Sequence, residues 1–154
     1  MEFFVATFKM DKGDIVFRLY DETPIHTGRF IRNANEGFFK GISFYRLVPN
    51  FVVQTSPLEI GDNDHPYMWD EVKPPRRLKD NNFHAYGVLS ACNTGEEHTS
   101  MGAFFIVLNR TSTAHLDKTQ TTFGTVIKGI ELIDQIEKDD IIHDIIISKW
   151  SVKT

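Results

Sequence analysis

Apolar residues recur at every second position through much of the chain, a period that belongs to half-buried β-strands rather than to helices. Between Phe3 and Leu19 the alternation puts Phe4, Ala6, Phe8 and Met10 on one face, and Ile15, Phe17 and Leu19 on one face of the returning segment. Asp11-Lys12-Gly13-Asp14 between them supplies turn chemistry, so the pattern predicts a β-hairpin. The period then changes. Thr23-Pro24 offers an N-cap followed by proline at the first helical position, Phe30, Ile31 and Ala34 continue at helical spacing, and Gly37 supplies a stop. A first helix of about three turns is expected there.

Strand-like runs return at 42–48 and 51–55, joined by Pro49-Asn50, which suits a tight turn. Residues 57–82 are polar and carry Pro57, Pro66, Pro74 and Pro75, which predicts a long irregular loop of the kind that binds or covers a ligand. Further strands are predicted at 87–92, 103–108 and 122–127, and a last one at 141–150. A second helix is predicted over 130–138, with Ile130, Ile133 and Ile136 on one stripe. Eight short strands, two separated helices and no β-α-β alternation predict a mainly β fold. Its expected form is a closed eight-stranded antiparallel β-barrel capped by two α-helices, in one domain spanning 1–154.

Composition narrows the function classes. A chain of 154 residues can remove about 70% of its unfolded surface from water without disulfide or metal. Thirteen Phe point to an aromatic interior. The net charge of -4 repels phosphate backbones and anionic membranes, so nucleic acid and membrane are not expected partners. The basic cluster Arg76-Arg77 with Lys79 is too short to change that and reads as a solvated loop. No run reaches membrane-spanning length, and Met1-Glu2-Phe3-Phe4-Val5 lacks the charge order of a signal peptide. A lone cysteine, Cys92, cannot form an internal disulfide. A cytoplasmic monomer is therefore expected, because no heptad pattern calls for a partner.

Taken singly, the chemistry-bearing residues read plainly. Arg46 alone would be a surface strand arginine, Phe51 and Phe105 core rings, Gln54 an outward strand residue and Asn93 a turn former before Thr94-Gly95. Cys92 with His98 or His115 resembles a thiol and its base, but a single cysteine ending an apolar strand is more often a small core or pocket residue. Asp62, Asp64, His65, Asp70 and Glu71 match no cation-binding spacing, and the six His are scattered, so no metal or other cofactor is expected.

Spacing changes the weight of these residues. The segment Phe44-Tyr45-Arg46-Leu47-Val48-Pro49-Asn50-Phe51-Val52-Val53-Gln54 resembles the signature of the cyclophilin family of peptidyl-prolyl isomerases. Gly87-Val88-Leu89-Ser90-Ala91-Cys92-Asn93 is similar to that family's strand ending in Asn, and Gly102-Ala103-Phe104-Phe105-Ile106 to its Phe-Phe-Ile strand. Leu116-Asp117 and Phe123-Gly124-Thr125-Val126 match its later motifs, so the resemblance runs from about Lys9 to Ser148. It implies an eight-stranded barrel with the peptide site on the outside wall. It also implies catalytic roles for Arg46 and Gln54, and substrate contacts from Phe51, Val52, Cys92, Asn93, Ala103, Phe105, His115, Leu116 and Gln120. Five of these depart from the family's usual residue: Val52 for Met, Cys92 for Ala, Ala103 for Gln, His115 for Trp and Gln120 for His.

The chemistry fits the implied roles. Twisting an X–Pro amide returns the lone pair to the ring nitrogen, and a charged, forked donor such as Arg46 would stabilise that form selectively, with Gln54 orienting it. Phe51, Phe105 and Leu116 would hold the pyrrolidine ring, while Asn93 would clamp the peptide backbone. Proline-containing peptides or protein clients are the expected partners. Ala103 and Gln120 also leave open a proline-binding module with little turnover. Because the Trp position usually bonds cyclosporin, weak or no cyclosporin binding is expected of His115.

Overall fold

A computed structural model of the chain describes residues 2–56, 68–69, 83–93, 98–118 and 120–151. The expected hairpin is present as β1 (Glu2–Met10) and β2 (Gly13–Leu19), turning at Asp11-Lys12 and paired from Val5↔Arg18 to Met10↔Gly13. Helix α1 (Pro24–Asn35) follows with proline in its first turn and ends ahead of Gly37, whose φ of 81° lets the chain reverse. Thr23 stands at the N-cap, but its side chain caps no backbone group; its hydroxyl instead faces Thr27 Oγ1 at 3.4 Å.

The remaining elements are β3 (Ile42–Ser43), β4 (Arg46–Val48), β5 (Val52–Gln54), β6 (Met68–Trp69), β7 (Val88–Asn93) and β8 (His98–Val107). After them come α2 (Arg110–Thr113), a 3-10 turn (Ala114–Lys118), β9 (Thr122–Lys128), α3 (Ile130–Ile133), β10 (Ile141–Ile142) and β11 (Asp144–Ser151). Hydrogen bonds order the main sheet β11-β1-β2-β9-β7-β8-β5-β4, with β6 also on β8, and every pairing is antiparallel.

Two expectations change here. Among the described residues no ladder joins β4 to β11, so the expected closed barrel is an open hydrogen-bonded path. The cause lies in two interrupted strands. The run predicted at 42–48 breaks at Phe44, which is fully buried and whose backbone bonds go to Asp139 and Asp140. The run predicted at 141–150 breaks at His143, whose N–H goes to the Lys9 carbonyl at 2.8 Å. The two fragments released, β3 and β10, pair with each other as a separate clip between the sheet's ends. The second helix is also shorter than predicted: only Ile130–Ile133 is helical, and Asp139 adopts φ 71° beyond it. Ile133 and Ile136 remain buried, whereas Ile130, predicted to share their stripe, is 50% exposed.

The sheet curves around one interior. Phe8 and Phe17 of the hairpin, Phe30 of α1, Phe104 of β8 and Phe123 of β9 join a single apolar cluster with Ile145 of β11, and Leu47 of β4 packs against it. The expected loop at 57–82, with its acidic residues, lies outside the described residues except for β6. No helix among the described residues is long and apolar enough to cross a membrane.

Candidate active site

Alternation sorts β5, β7 and β8 into two faces. Val53, Leu89, Ala91, Phe104 and Ile106 point into the main core. Their neighbours Val52, Val88, Cys92, Ala103, Phe105 and Val107 point the other way and form a second apolar cluster with Leu116, against which Phe51 and Ala85 pack. Six of the residues singled out in the sequence, Phe51, Val52, Cys92, Ala103, Phe105 and Leu116, thus meet in one patch on the outer wall.

Register supplies the polar edge of this patch. Arg46 of β4 lies opposite Gln54 of β5, Gln54 opposite Phe105 of β8, and Phe105 opposite Ser90 of β7. One row across four strands therefore carries a guanidinium, an amide, a ring and a hydroxyl. Arg46 Nη1 donates to Gln54 Oε1 at 3.0 Å, and Gln54 Nε2 donates to the Tyr45 hydroxyl at 3.4 Å. The amide is held from both sides, so the exposed guanidinium is aimed rather than free to sweep.

The turn after β4 places Phe51. Asn50 adopts φ 59°, its carbonyl accepts from Ser112 Oγ at 2.5 Å, and the Phe51 carbonyl accepts from the Leu108 N–H at 2.9 Å. The Phe51 ring lies nearly parallel to the exposed His115 ring, with centroids 6.2 Å apart and planes inclined by 7°. Gln120 is half-buried and its N–H bonds the Leu116 carbonyl at 3.0 Å, which fixes the exit of the 3-10 turn. Asn93 ends β7 opposite Thr99. The buried Ala103 brings a methyl group and no amide to the patch.

Burial pushes the Cys92 thiol up to about 12, and the positive charge of Arg46 opposes that shift without cancelling it. The thiol is therefore protonated at neutral pH and shut inside the patch, which argues against a thiol nucleophile. Iodoacetamide at neutral pH is expected to label Cys92 at least about a hundredfold faster in denaturant than in the native protein. Mass spectrometry against time checks this, and fast native labelling would contradict it.

Two features escaped the sequence reading. Tyr45 is 41% exposed beside Arg46 and bonds its partner, although its place next to Arg46 was the only signal for it. Behind Phe105 lies a buried polar network of His84, Ser90 and Asp117. Burial acts to raise the Asp117 pKa, but the His84 N–H, the Arg110 guanidinium and the His84 ring more than offset it and hold the carboxyl below its ordinary value.

The family model described as cyclophilin type peptidyl-prolyl cis-trans isomerase/CLD matches residues 5–152. The chain belongs to this cyclophilin family. One relative is a peptidyl-prolyl cis-trans isomerase of Helicobacter pylori (strain ATCC 700392 / 26695), 31% identical over 151 residues that cover 93% of this chain and 86% of the relative. Another is peptidyl-prolyl cis-trans isomerase B of Bacillus subtilis (strain 168), 31% identical over 140 residues, or 88% of this chain and 91% of the relative. Among solved structures, a Cryptosporidium parvum cyclophilin type peptidyl-prolyl cis-trans isomerase superposes with a TM-score of 0.74 at 20% identity, covering 95% of this chain and 98% of that one. That likeness establishes a cyclophilin fold for the mainly β architecture described above.

Proposed function

We propose that this chain is a peptidyl-prolyl cis-trans isomerase that turns X–Pro bonds in peptides and unfolded protein segments, as one domain spanning 1–154. Family membership supports the activity, and one observation carries the assignment of its site: a guanidinium anchored at 3.0 Å by Gln54 at the edge of an outward-facing apolar patch.

The reaction needs no covalent intermediate. Amide resonance sets a barrier of about 18–20 kcal/mol, so spontaneous X–Pro rotation takes about tens to hundreds of seconds. Only binding that strengthens as the amide twists lowers this barrier. Phe51, Phe105 and Leu116 hold the pyrrolidine ring, Val52, Cys92 and Ala103 fill the wall around it, and Asn93 clamps the peptide backbone. Arg46 donates to the ring nitrogen once rotation has restored its lone pair. The planar nitrogen is a poor acceptor, so the donated bond favours the twisted form over both ground states. His115 and Gln120 stand at the rim.

A binding module with little turnover is the second reading, and the buried methyl of Ala103, where the resemblance places an amide, favours it. Exchange NMR on a short Ala-Pro-Phe peptide separates the two. Faster cis/trans exchange with catalytic amounts of protein supports the isomerase; peptide shifts without faster exchange support the binder. Weak cyclosporin binding is expected because His115 stands where the resemblance places Trp, and tight binding by calorimetry would contradict that alignment. A lone cysteine that cannot form an internal disulfide suits a reducing compartment such as the cytoplasm.

A further inference from the structure

Directly behind the apolar floor lies a polar network that the chemistry above does not use. His84 and Ser90 are fully buried and Asp117 is 8% exposed. His84 Nδ1 lies 2.8 Å from Asp117 Oδ1, and His84 Nε2 lies 2.8 Å from Ser90 Oγ. Asp117 Oδ1 also accepts from the His84 backbone N–H at 2.7 Å, and Oδ2 from Arg110 Nη1 at 2.6 Å. The same Arg110 nitrogen donates to the His84 carbonyl at 2.8 Å.

Carboxylate, imidazole and hydroxyl in this order resemble a nucleophilic relay. Burial excludes that use. A nucleophile must touch the bond it attacks, and Ser90 has no exposed surface, with its hydroxyl also 3.4 Å from the Thr121 carbonyl. What the network does touch is the pocket floor. The His84 ring lies against Phe105, with centroids 6.0 Å apart and planes inclined by 19°. Ser90 is the direct cross-strand partner of Phe105, and Asp117 follows Leu116 in the chain.

We propose that His84 and Asp117 are positioning residues for the isomerase, holding Phe105 and Leu116 from behind so that the floor does not yield as the amide twists. This rests on the isomerase reading. The physical requirement is directional. A carboxylate only accepts, so His84 Nδ1 must carry the proton that faces Asp117, and the ring is fixed in one orientation. A floor fixed in this way keeps the ring nitrogen aligned with Arg46 as the amide twists, whereas a floor that shifts by a fraction of an ångström loses most where geometry matters most.

The test uses Asp117→Asn and Ser90→Ala, with peptide exchange measured over a range of peptide concentrations. An asparagine has one oxygen where Asp117 serves three donors, the His84 backbone N–H and ring N–H on one side and Arg110 on the other, so its NH2 must face a donor and the hold on the ring is weakened. Asp117→Asn is expected to lower kcat about tenfold with KM changed less than about twofold, and to shift the His84 ring resonances in 15N spectra. Ser90→Ala is expected to lower kcat about threefold by freeing the far side of the ring. Folded Asp117→Asn with wild-type kcat, or a wild-type ring without a proton on Nδ1, overturns the proposal. Should Asp117→Asn not fold, Ser90→Ala with unchanged kcat overturns it as well. A wild-type protein that does not speed exchange removes the isomerase reading itself, an outcome distinct from active wild type with unaffected variants.

Discussion

Phe104→Ala is expected to cost about 3–5 kcal/mol of folding stability, the range for emptying a buried phenylalanine site. Phe104 is 1% exposed, and its ring meets those of Phe8, Phe30, Phe39 and Phe123 edge-on, at centroid distances of 5.7, 5.6, 5.6 and 6.4 Å. Those partners come from β1, α1, the segment after α1 and β9, so the cavity would open where four parts of the chain converge. Rings cannot collapse into such a space without leaving their own edge-to-face contacts, so both the transfer and the cavity contributions apply. A domain of ordinary stability, about 5–15 kcal/mol, would lose a large part of it. Urea titration followed by tryptophan fluorescence checks this, and a midpoint shift worth less than about 1 kcal/mol would mean that Phe104 is not the hub of the core.

Arg46→Ala is expected to lower the isomerisation rate at least about a hundredfold, the usual consequence of removing one donor aimed at a developing acceptor. Its fold should survive, because Arg46 is exposed and its stability contribution falls within about 1 kcal/mol. Arg46→Lys separates charge from shape. Lysine keeps a positive charge but lacks the fork that bonds Gln54 Oε1 while still presenting an N–H to the substrate, so it should recover only a minor part of the rate. Full activity in Arg46→Lys would show that charge alone suffices and that the Gln54 contact is incidental.

Legibility followed the range of the interactions. The hairpin was readable because its turn residues and alternating faces lie within one short stretch, and β1 and β2 form where those signals stand. Residues 42–48 read as a single strand because nothing local reveals that the backbone of Phe44 bonds Asp139 and Asp140; that distant pairing splits the strand and opens the ladder. The short α3 differs in kind: Ile133 and Ile136 are buried as their spacing suggested, but the Gln135 and Ile136 N–H groups bond three residues back, to Leu132 and Ile133, so the backbone leaves the α-helix between them. At the site, Arg46 and Gln54 were readable as a pair only through the resemblance of their segment to the family signature, since taken singly each read as a surface strand residue. The His84–Asp117 contact spans 33 positions, and no spacing rule announces it.

Measuring rate and affinity together on one Ala-Pro-Phe peptide, for wild type and Arg46→Ala, decides whether Arg46 acts on the twisted amide. Rapid cis/trans exchange is expected with wild type and little above the uncatalysed rate with the variant, while the two bind the peptide with dissociation constants within a few fold. A variant that loses affinity and rate in equal proportion, or keeps the wild-type rate, would contradict the assignment of Arg46 to the twisted amide.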